Sequence, residues 1–201
     1  MLSEAQKSFC VWTFGVFMPV VYSSLLPVLS LVRFPTGTPF AKPDPPLFAS
    51  VSYYICEVGS AGAFACICAP SITFMWMVVR DIGRNLQTYS LLLLMISWFF
   101  MIAIPHTEFE VVHGVFTGMV MTSGGLFAYA CARAEADEKT KRRVQVLLSV
   151  QIACYIALGM TRMAVNFGRD VGYTFFIFEV IFLLVSSSVA PVKMRKISLP
   201  E

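Results

Sequence analysis

Charged side chains are scarce in this chain of 201 residues. Only 13% of the residues are Asp, Glu, Lys or Arg, whereas 57% are hydrophobic. A soluble globular domain carries about 25% charged residues, so this composition, with a mean hydropathy of +0.73, excludes an ordinary soluble domain. Membrane lipids are the expected partners, and nothing favours a cofactor or nucleic acid.

Other features that the sequence lacks exclude further classes of protein and of site. No apolar run alternates with polar residues as the strands of a transmembrane barrel do. All six cysteines lie in or beside apolar runs, which argues against a disulfide framework. Cys66 and Cys68 point to different faces of a predicted helix, so they do not predict a metal site. Lys7 is the only basic residue before the first apolar run. This run is too long for the apolar region of a cleavable signal peptide and is expected to act as a signal anchor.

Six apolar runs are long enough to cross the roughly 30 Å hydrocarbon core as helices. They are expected at about 9–32, 50–79, 88–104, 111–132, 144–163 and 171–192. The sequence therefore predicts an all-α, polytopic membrane protein, with one domain over residues 1–201 that is a six-helix transmembrane bundle. Pro19 and Pro27 remove backbone donors and should kink the first span. The proline-rich stretch 33–48 predicts an extended connection.

Lys and Arg are distributed unequally between the two sides of the predicted bundle. One side collects eleven of them: Lys7, Arg80, Arg84, Arg133, Lys139, Lys141, Arg142, Arg143, Lys193, Arg195 and Lys196. The other side collects four: Arg33, Lys42, Arg162 and Arg169. Because cytosolic connections carry the excess of basic residues, both termini are predicted to be cytosolic.

Both histidines of the chain lie in one polar stretch, residues 105–118, between two apolar runs. The topology brings four ionisable residues to the same side of the membrane as this stretch: Glu57, His113, Arg162 and Glu179. Three more are peripheral candidates: His106, Glu110 and Arg169. Glu179 is eight residues into its predicted span, about 12 Å deep at 1.5 Å per residue. Charged groups at such depth normally pair inside the bundle, so Glu179 is predicted to pair with Arg162 or His113.

Three interpretations of this cluster are open. It is a structural lock that holds the helices in register, or an outward cavity in which Arg162 and His113 meet the phosphate or sugar of a lipid headgroup. The third is a catalytic or metal site built from His106, His113, Glu108 and Glu110, which is disfavoured because the spacing of helical zinc motifs is absent. A channel or transporter is also disfavoured, since the chain shows neither inverted repeats nor a ring of charges.

Two other segments carry predictions. Gly114 and Gly118 form a GxxxG motif in an apolar segment, which predicts close helix packing. Residues 133–143 are charged with mixed sign, which predicts a solvated linker. The alternative for this linker is contact with anionic headgroups through its basic residues Lys141, Arg142 and Arg143.

Short motifs in the chain resemble the Frag/DRAM/Sfk family of six-span membrane proteins. The matching segments are Glu110-Val-Val-His113-Gly-Val-Phe, Gly172-Tyr-Thr-Phe-Phe-Ile-Phe-Glu179-Val and Lys141-Arg-Arg-Val-Gln. The layout of short-looped spans with a proline-rich first outer connection is similar as well. Val180, rather than an aromatic residue, follows Glu179. Within the family, the chain is most similar to the GPI-anchor lipid-remodelling type.

This resemblance implies lipid handling in the secretory pathway, related to GPI anchors or phospholipids and without catalysis. It implies the endoplasmic reticulum or Golgi, with the plasma membrane and lysosome as alternatives, and it singles out His113 and Glu179 by position. A second hypothesis comes from the lack of a soluble domain. It is a structural or adaptor subunit that anchors a larger membrane-associated partner, a lipid-transfer or lipid-kinase complex.

Overall fold

The structure is a computed structural model that describes residues 3–33, 49–55, 58–104, 106 and 108–194. Over these ranges the chain is helical: α1 (Glu4–Trp12), a π-helical turn (Thr13–Phe17), α2 (Met18–Arg33), α3 (Val51–Tyr54), α4 (Val58–Val79), α5 (Leu86–Ala103), α6 (Glu110–Ala134), α7 (Glu138–Asn166) and α8 (Thr174–Met194). Six helical stretches are long and apolar enough to span a membrane. The predicted all-α, six-span architecture is confirmed, and the side on which the termini lie stays a prediction.

The first span contains a π-helical turn just before Pro19. Pro19 has no N–H to donate to the Gly15 carbonyl four residues earlier, so an α-helix would leave that oxygen without its usual partner. The Ser71 hydroxyl of α4 donates to the Gly15 oxygen instead. The predicted distortion at Pro19 is therefore a π turn whose freed carbonyl is satisfied by a neighbouring helix.

The second predicted span, 50–79, is divided. Ser50 begins the short helix α3, because its hydroxyl oxygen accepts a hydrogen bond from the Tyr53 amide at 3.0 Å. Helix α3 ends at Tyr54, with Ile55 as its C-cap, and α4 starts at Val58. Glu57, the proline-rich connection 34–48 and the tail 195–201 lie outside the described residues.

The last two spans also differ from their predicted limits. Helix α7 begins at Glu138, because the Asp137 side chain caps it by accepting from the Thr140 amide at 2.9 Å. The mixed-charge segment is therefore mostly helix, and only residues 135–137 connect α6 to α7. Helix α8 begins at Thr174, so Glu179 lies five residues, or about 8 Å, into its helix rather than 12 Å.

The bundle has two ends with different chemistry. We call the end with residues 49–55, 104, 106, 108–110 and 162–175 the histidine end, and the opposite end, with residues 80–85 and 135–147, the basic end. One buried apolar cluster lies near each end: the first, near the basic end, contains Val79, Leu91, Phe127, Val144 and Val189, and the second, near the histidine end, contains Leu26, Val51, Tyr54, Met101 and Phe176. Since α3 contributes to the second cluster, the short helix is packed into the histidine end and is not a free loop.

Candidate functional site

A polar cavity of about 300 Å³ lies at the histidine end. It brings together five of the seven predicted residues: His106, Glu110, His113, Arg162 and Glu179. Arg169 is exposed and is not among the residues that line it. Glu57 is not part of the described chain. The side chains of the cavity form two tiers, a buried inner tier and a partly exposed outer tier.

His113 belongs to the inner tier and is 4% exposed. Its Nδ1 lies 2.8 Å from the Ile104 carbonyl oxygen, and its Nε2 lies 2.9 Å from the Ser52 hydroxyl. A carbonyl oxygen only accepts, so Nδ1 carries the proton; in the neutral ring Nε2 then accepts from Ser52. Both ring nitrogens are engaged in hydrogen bonds that tie α6 to the end of α5 and to α3.

Glu179 is the second member of the inner tier and is buried. Its Oε2 accepts a hydrogen bond from the Val51 amide at 2.5 Å. Val51 is the first residue of α3, where a backbone N–H has no partner within its own helix. The carboxylate of α8 therefore caps a helix that is distant in sequence, and Ser50 satisfies a second amide of the same turn.

The predicted direct pair between Glu179 and Arg162 or His113 is wrong. Glu179 binds the backbone at Val51, and His113 binds the side chain at Ser52. The two ionisable residues are joined through the segment between them, Ser50 to Ser52. Sequence reasoning missed both serines, because a serine at a helix start is common and nothing local shows that other spans bind it.

Arg162 and Glu110 form the outer tier. The Arg162 Nη2 donates to Glu110 Oε1 at 2.5 Å, and the two side chains are 40% and 55% exposed. Glu110 is the first residue of α6, where the helix dipole favours a negative charge. This ion pair joins α6 to α7 at the rim of the cavity and leaves charges of both signs within reach of water or headgroups.

His106 lies beside the ion pair, with its ring edge against the ring of His113 at a centroid distance of 5.4 Å. Burial lowers the pKa of His106 below its usual value, and the neighbouring His113 lowers it further. The Glu110 carboxylate opposes this shift but does not cancel it. His106 is therefore neutral at physiological pH and adds an uncharged ring to the cavity wall.

Aromatic side chains close the histidine end beside the inner tier. The Tyr54 hydroxyl donates to the Tyr173 hydroxyl at 3.5 Å, and the Tyr54 ring meets Phe176 edge-on at 5.7 Å. Burial and this hydrogen bond raise the pKa of Tyr54 above its usual value, so it stays neutral. The Ala49 amide donates to the Gly172 carbonyl at 3.0 Å, which fixes α3 to the approach of α8.

The GxxxG motif does not pack helices together. A Cβ built on Gly114 or on Gly118 would meet no atom of the described residues within 4 Å, and both glycines line the polar cavity. The prediction of close packing is wrong because the motif shows only which side chains are missing from a helix face. Whether a second helix or a cavity occupies the space depends on the arrangement of the neighbouring spans.

The basic end carries a different recess, open and about 1100 Å³ in volume. It is lined by Trp12, Lys139, Arg142 and Arg143, among others. Lys141, which was grouped with the two arginines, pairs instead with Glu138 at 2.9 Å. The prediction of a solvated linker is also wrong at residue 135, because the Glu135 side chain is 8% exposed and pairs with Lys193 at 3.2 Å.

No metal site is evident: over the described ranges, no three His, Cys, Asp or Glu side chains come together as ligands. The fold and cavity together define a six-span helical membrane protein with a two-tier polar cavity at one end of its bundle. The chain matches no protein-family model, no curated protein and no solved structure. Its resemblance to the Frag/DRAM/Sfk family stays a prediction.

Proposed function

We propose that this protein handles membrane lipids in the secretory pathway by holding a lipid headgroup in the polar cavity, without catalysing a reaction on it. The observation that carries the proposal is the two-tier construction of the cavity. The inner tier is fixed by hydrogen bonds between spans, and the outer tier presents a charged pair at the rim.

The inner tier supports binding rather than catalysis. A general base or metal ligand needs a free nitrogen within reach of the reacting group, but both nitrogens of His113 are held by Ile104 and Ser52. The Glu179 oxygen is likewise directed to the Val51 amide. These groups hold the cavity floor in shape, which is the property that a binding site requires.

The outer tier supports a headgroup that carries both signs or many hydroxyls. Exposed ion pairs contribute only about 0–1 kcal/mol, so a ligand can separate Arg162 from Glu110 at little cost. The guanidinium is suited to bidentate recognition of a phosphate, and the carboxylate can accept from an ammonium or a sugar hydroxyl. GPI-anchor lipids and phospholipids supply such groups.

The family resemblance narrows the proposal to GPI-anchor or phospholipid handling in the endoplasmic reticulum or Golgi, with the plasma membrane and lysosome as alternatives. The segments that carry this resemblance contain Glu110, His113 and Glu179. All three line the same cavity. Motif residues that are far apart in sequence thus meet at one place, which supports a common role.

The test compares Arg162→Gln and Glu110→Gln with the control Arg169→Gln, whose parent residue is exposed at the same end. Each variant is expressed in cells that lack the gene. We measure the phosphate-containing lipids that co-purify with the protein, cellular lipids and surface GPI-anchored proteins. We expect the two cavity variants to lose bound lipid and fail to complement, while the control behaves as wild type. Unchanged bound lipids and full complementation by both cavity variants would refute the proposal.

An adaptor function is the second candidate, and the open basic recess favours it. Its exposed Arg142 and Arg143 sit beside Trp12, a combination suited to an acidic, aromatic-containing surface of a lipid-transfer or lipid-kinase complex. The test is purification in mild detergent of an Arg142→Glu, Arg143→Glu variant, with Arg84→Glu as the control. Loss of a stoichiometric large partner from the double variant alone supports this function, and a lone wild-type monomer contradicts it.

A further inference from the structure

A second cavity extends the polar cavity toward the middle of the membrane. It has a volume of about 340 Å³ and lies between α6, α7 and α8. Met121 and Tyr155 line both cavities, so the two spaces meet at these side chains. The deeper cavity is walled mainly by apolar side chains such as Leu126, Leu148 and Phe182. Together the two cavities change from charged at the rim to apolar in depth.

The faces of α6 and α7 toward these cavities carry few bulky side chains. Gly114, Gly118 and Gly125 lie on one face of α6 at the intervals of a helical repeat, and Gly159 lies on the face of α7 that lines the same space. Within the described ranges, a Cβ built on any of the four would meet no atom within 4 Å. The missing side chains leave a groove between the two helices.

The groove has the length and exposure expected for an acyl chain. Leu148 and Arg162 mark its limits on α7, and their separation of 14 positions corresponds to about 21 Å at 1.5 Å per residue. This is a large part of the roughly 30 Å hydrocarbon core. Leu126 and Ile152 are 39% and 52% exposed at its edge, so the groove is open along its side. A space that opens sideways in this part of a membrane faces lipid tails.

Gln151 is a buried polar side chain at the deep cavity. Its side chain is 1% exposed, and its Nε2 donates to the Ser186 hydroxyl at 2.8 Å. Its Oε1 has no hydrogen-bond partner within the described part of the chain. A buried amide oxygen without a partner is unfavourable, and Gln151 lines the groove. A water molecule can supply the donor, because an acyl chain carries none.

We propose that the groove between α6 and α7 takes one acyl chain of the lipid whose headgroup lies in the polar cavity. This inference rests on the proposed function, which assigns a site to the headgroup, and it adds a site for an acyl chain of the same lipid. The lipid enters sideways from the bilayer, with its phosphate at Arg162 and its chain along the glycine face of α6. Acyl-chain length and saturation are then selected by the depth of the groove as far as Leu148.

The test uses a phosphatidylcholine with a photoactivatable diazirine near the end of one acyl chain, in nanodiscs that hold the wild-type protein. Cross-linked peptides are identified by mass spectrometry. We expect enrichment on the groove residues Leu126, Tyr129, Leu148 and Ile152 over the exposed outer faces of α5 and α7. Equal labelling of all lipid-exposed faces would overturn the proposal without any variant.

Two groove variants, Gly125→Leu and Gly118→Leu, fill the space from α6, with Ala153→Leu as the control because Ala153 is exposed on α7 outside both cavities. Leucine is a better helix former than glycine, and the open space accommodates it, so folding should persist. Blocking even two methylene contacts corresponds to about a tenfold loss of affinity. We therefore expect about tenfold less groove labelling in both groove variants and none of this loss in the control.

Arg162→Gln separates this inference from the proposed function. If Gly125→Leu abolishes groove labelling and Arg162→Gln does not change it, the acyl site stands and the headgroup proposal fails. If Arg162→Gln removes bound lipid but neither leucine variant reduces groove labelling, the headgroup proposal stands and the acyl site is refuted. Should one leucine variant lose its thermal transition, the other variant and the wild-type labelling map decide the question.

Discussion

At the scale of single residues, Glu179 holds the first turn of α3 to α8 through the Val51 amide. Glu179→Ala removes the acceptor and leaves a buried N–H unsatisfied, which costs about 1–3 kcal/mol. Glu179→Gln keeps an oxygen in the same place and should retain most of the stability. The measurement is the thermal midpoint of the purified protein in detergent, with the exposed Glu108→Ala as the control.

The two substitutions at Glu179 also separate structure from ligand binding. A variant Glu179→Gln that melts near the wild type but fails to complement a deletion indicates that the carboxylate also meets the headgroup. If Glu179→Ala complements fully and its thermal midpoint is unchanged, the hydrogen bond with Val51 contributes neither to stability nor to function.

His106 makes the histidine end sensitive to acid. In the unfolded chain its imidazole titrates near its usual pKa of 6.5, and in the folded protein burial lowers that pKa. The unfolded state therefore takes up the proton first, and the stabilising contribution of neutral His106 is present above about pH 6.5 and lost as the pH falls below it. Thermal midpoints measured between pH 7.5 and 5.5 should decline more steeply in the wild type than in His106→Gln. Parallel declines would contradict this account.

At the scale of elements, the π turn of the first span is fitted to α4. A Cβ built on Gly15 would stand 2.6 Å from the Cδ2 of Phe74, so Gly15→Ala should overpack the contact and cost about 1–3 kcal/mol. Phe74→Leu removes the ring Cε2 and replaces the planar Cδ2 with a methyl group that can rotate away from that Cβ. The double variant should therefore be more stable than the sum of the two single changes predicts.

Gly62→Ala is the matched control for this contact, because a Cβ at Gly62 meets nothing within 4 Å in the part of the chain that the structure describes. It should leave the thermal midpoint unchanged or raise it slightly through helix propensity. Strict additivity of Gly15→Ala and Phe74→Leu would mean that the two side chains do not meet in the folded protein.

The short helix α3 organises the histidine end as an element. Its Val51 amide donates to Glu179 of α8, and its Ser52 hydroxyl donates to His113 of α6. A four-residue helix has no stability of its own, so its position depends on these contacts with neighbouring spans. The cavity floor and the packing of the spans are therefore formed together.

At the scale of the whole molecule, orientation is the property to test first. Glu108→Cys and Lys139→Cys introduce thiols at exposed positions at opposite ends of the bundle. A membrane-impermeant maleimide added to intact vesicles of known sidedness should label Glu108→Cys from the lumenal or exterior face and Lys139→Cys only from the cytosolic face. Wild-type protein is the control for its own cysteines. Labelling of both variants from one face would contradict the six-span topology.

The sequence alone determined the class of protein, because crossing a membrane depends on run length and mean apolarity, which are local quantities. It also identified the charged and histidine side chains that meet in the cavity, since scarce ionisable groups in apolar spans must be placed inward. Five of its seven candidates, including His113 and Glu179, line one space.

Only the tertiary structure determined which side chains and backbone groups bind one another. Glu179 could be satisfied by an arginine, a histidine or a backbone amide, and the choice of Val51 follows from the way α3 folds back between α6 and α8. The same holds for Gly114 and Gly118, which could face a helix or an open groove. Both outcomes depend on distances between spans that are far apart along the chain. No local pattern encodes those distances, because a hydrogen bond or a contact depends on the relative placement of both partners.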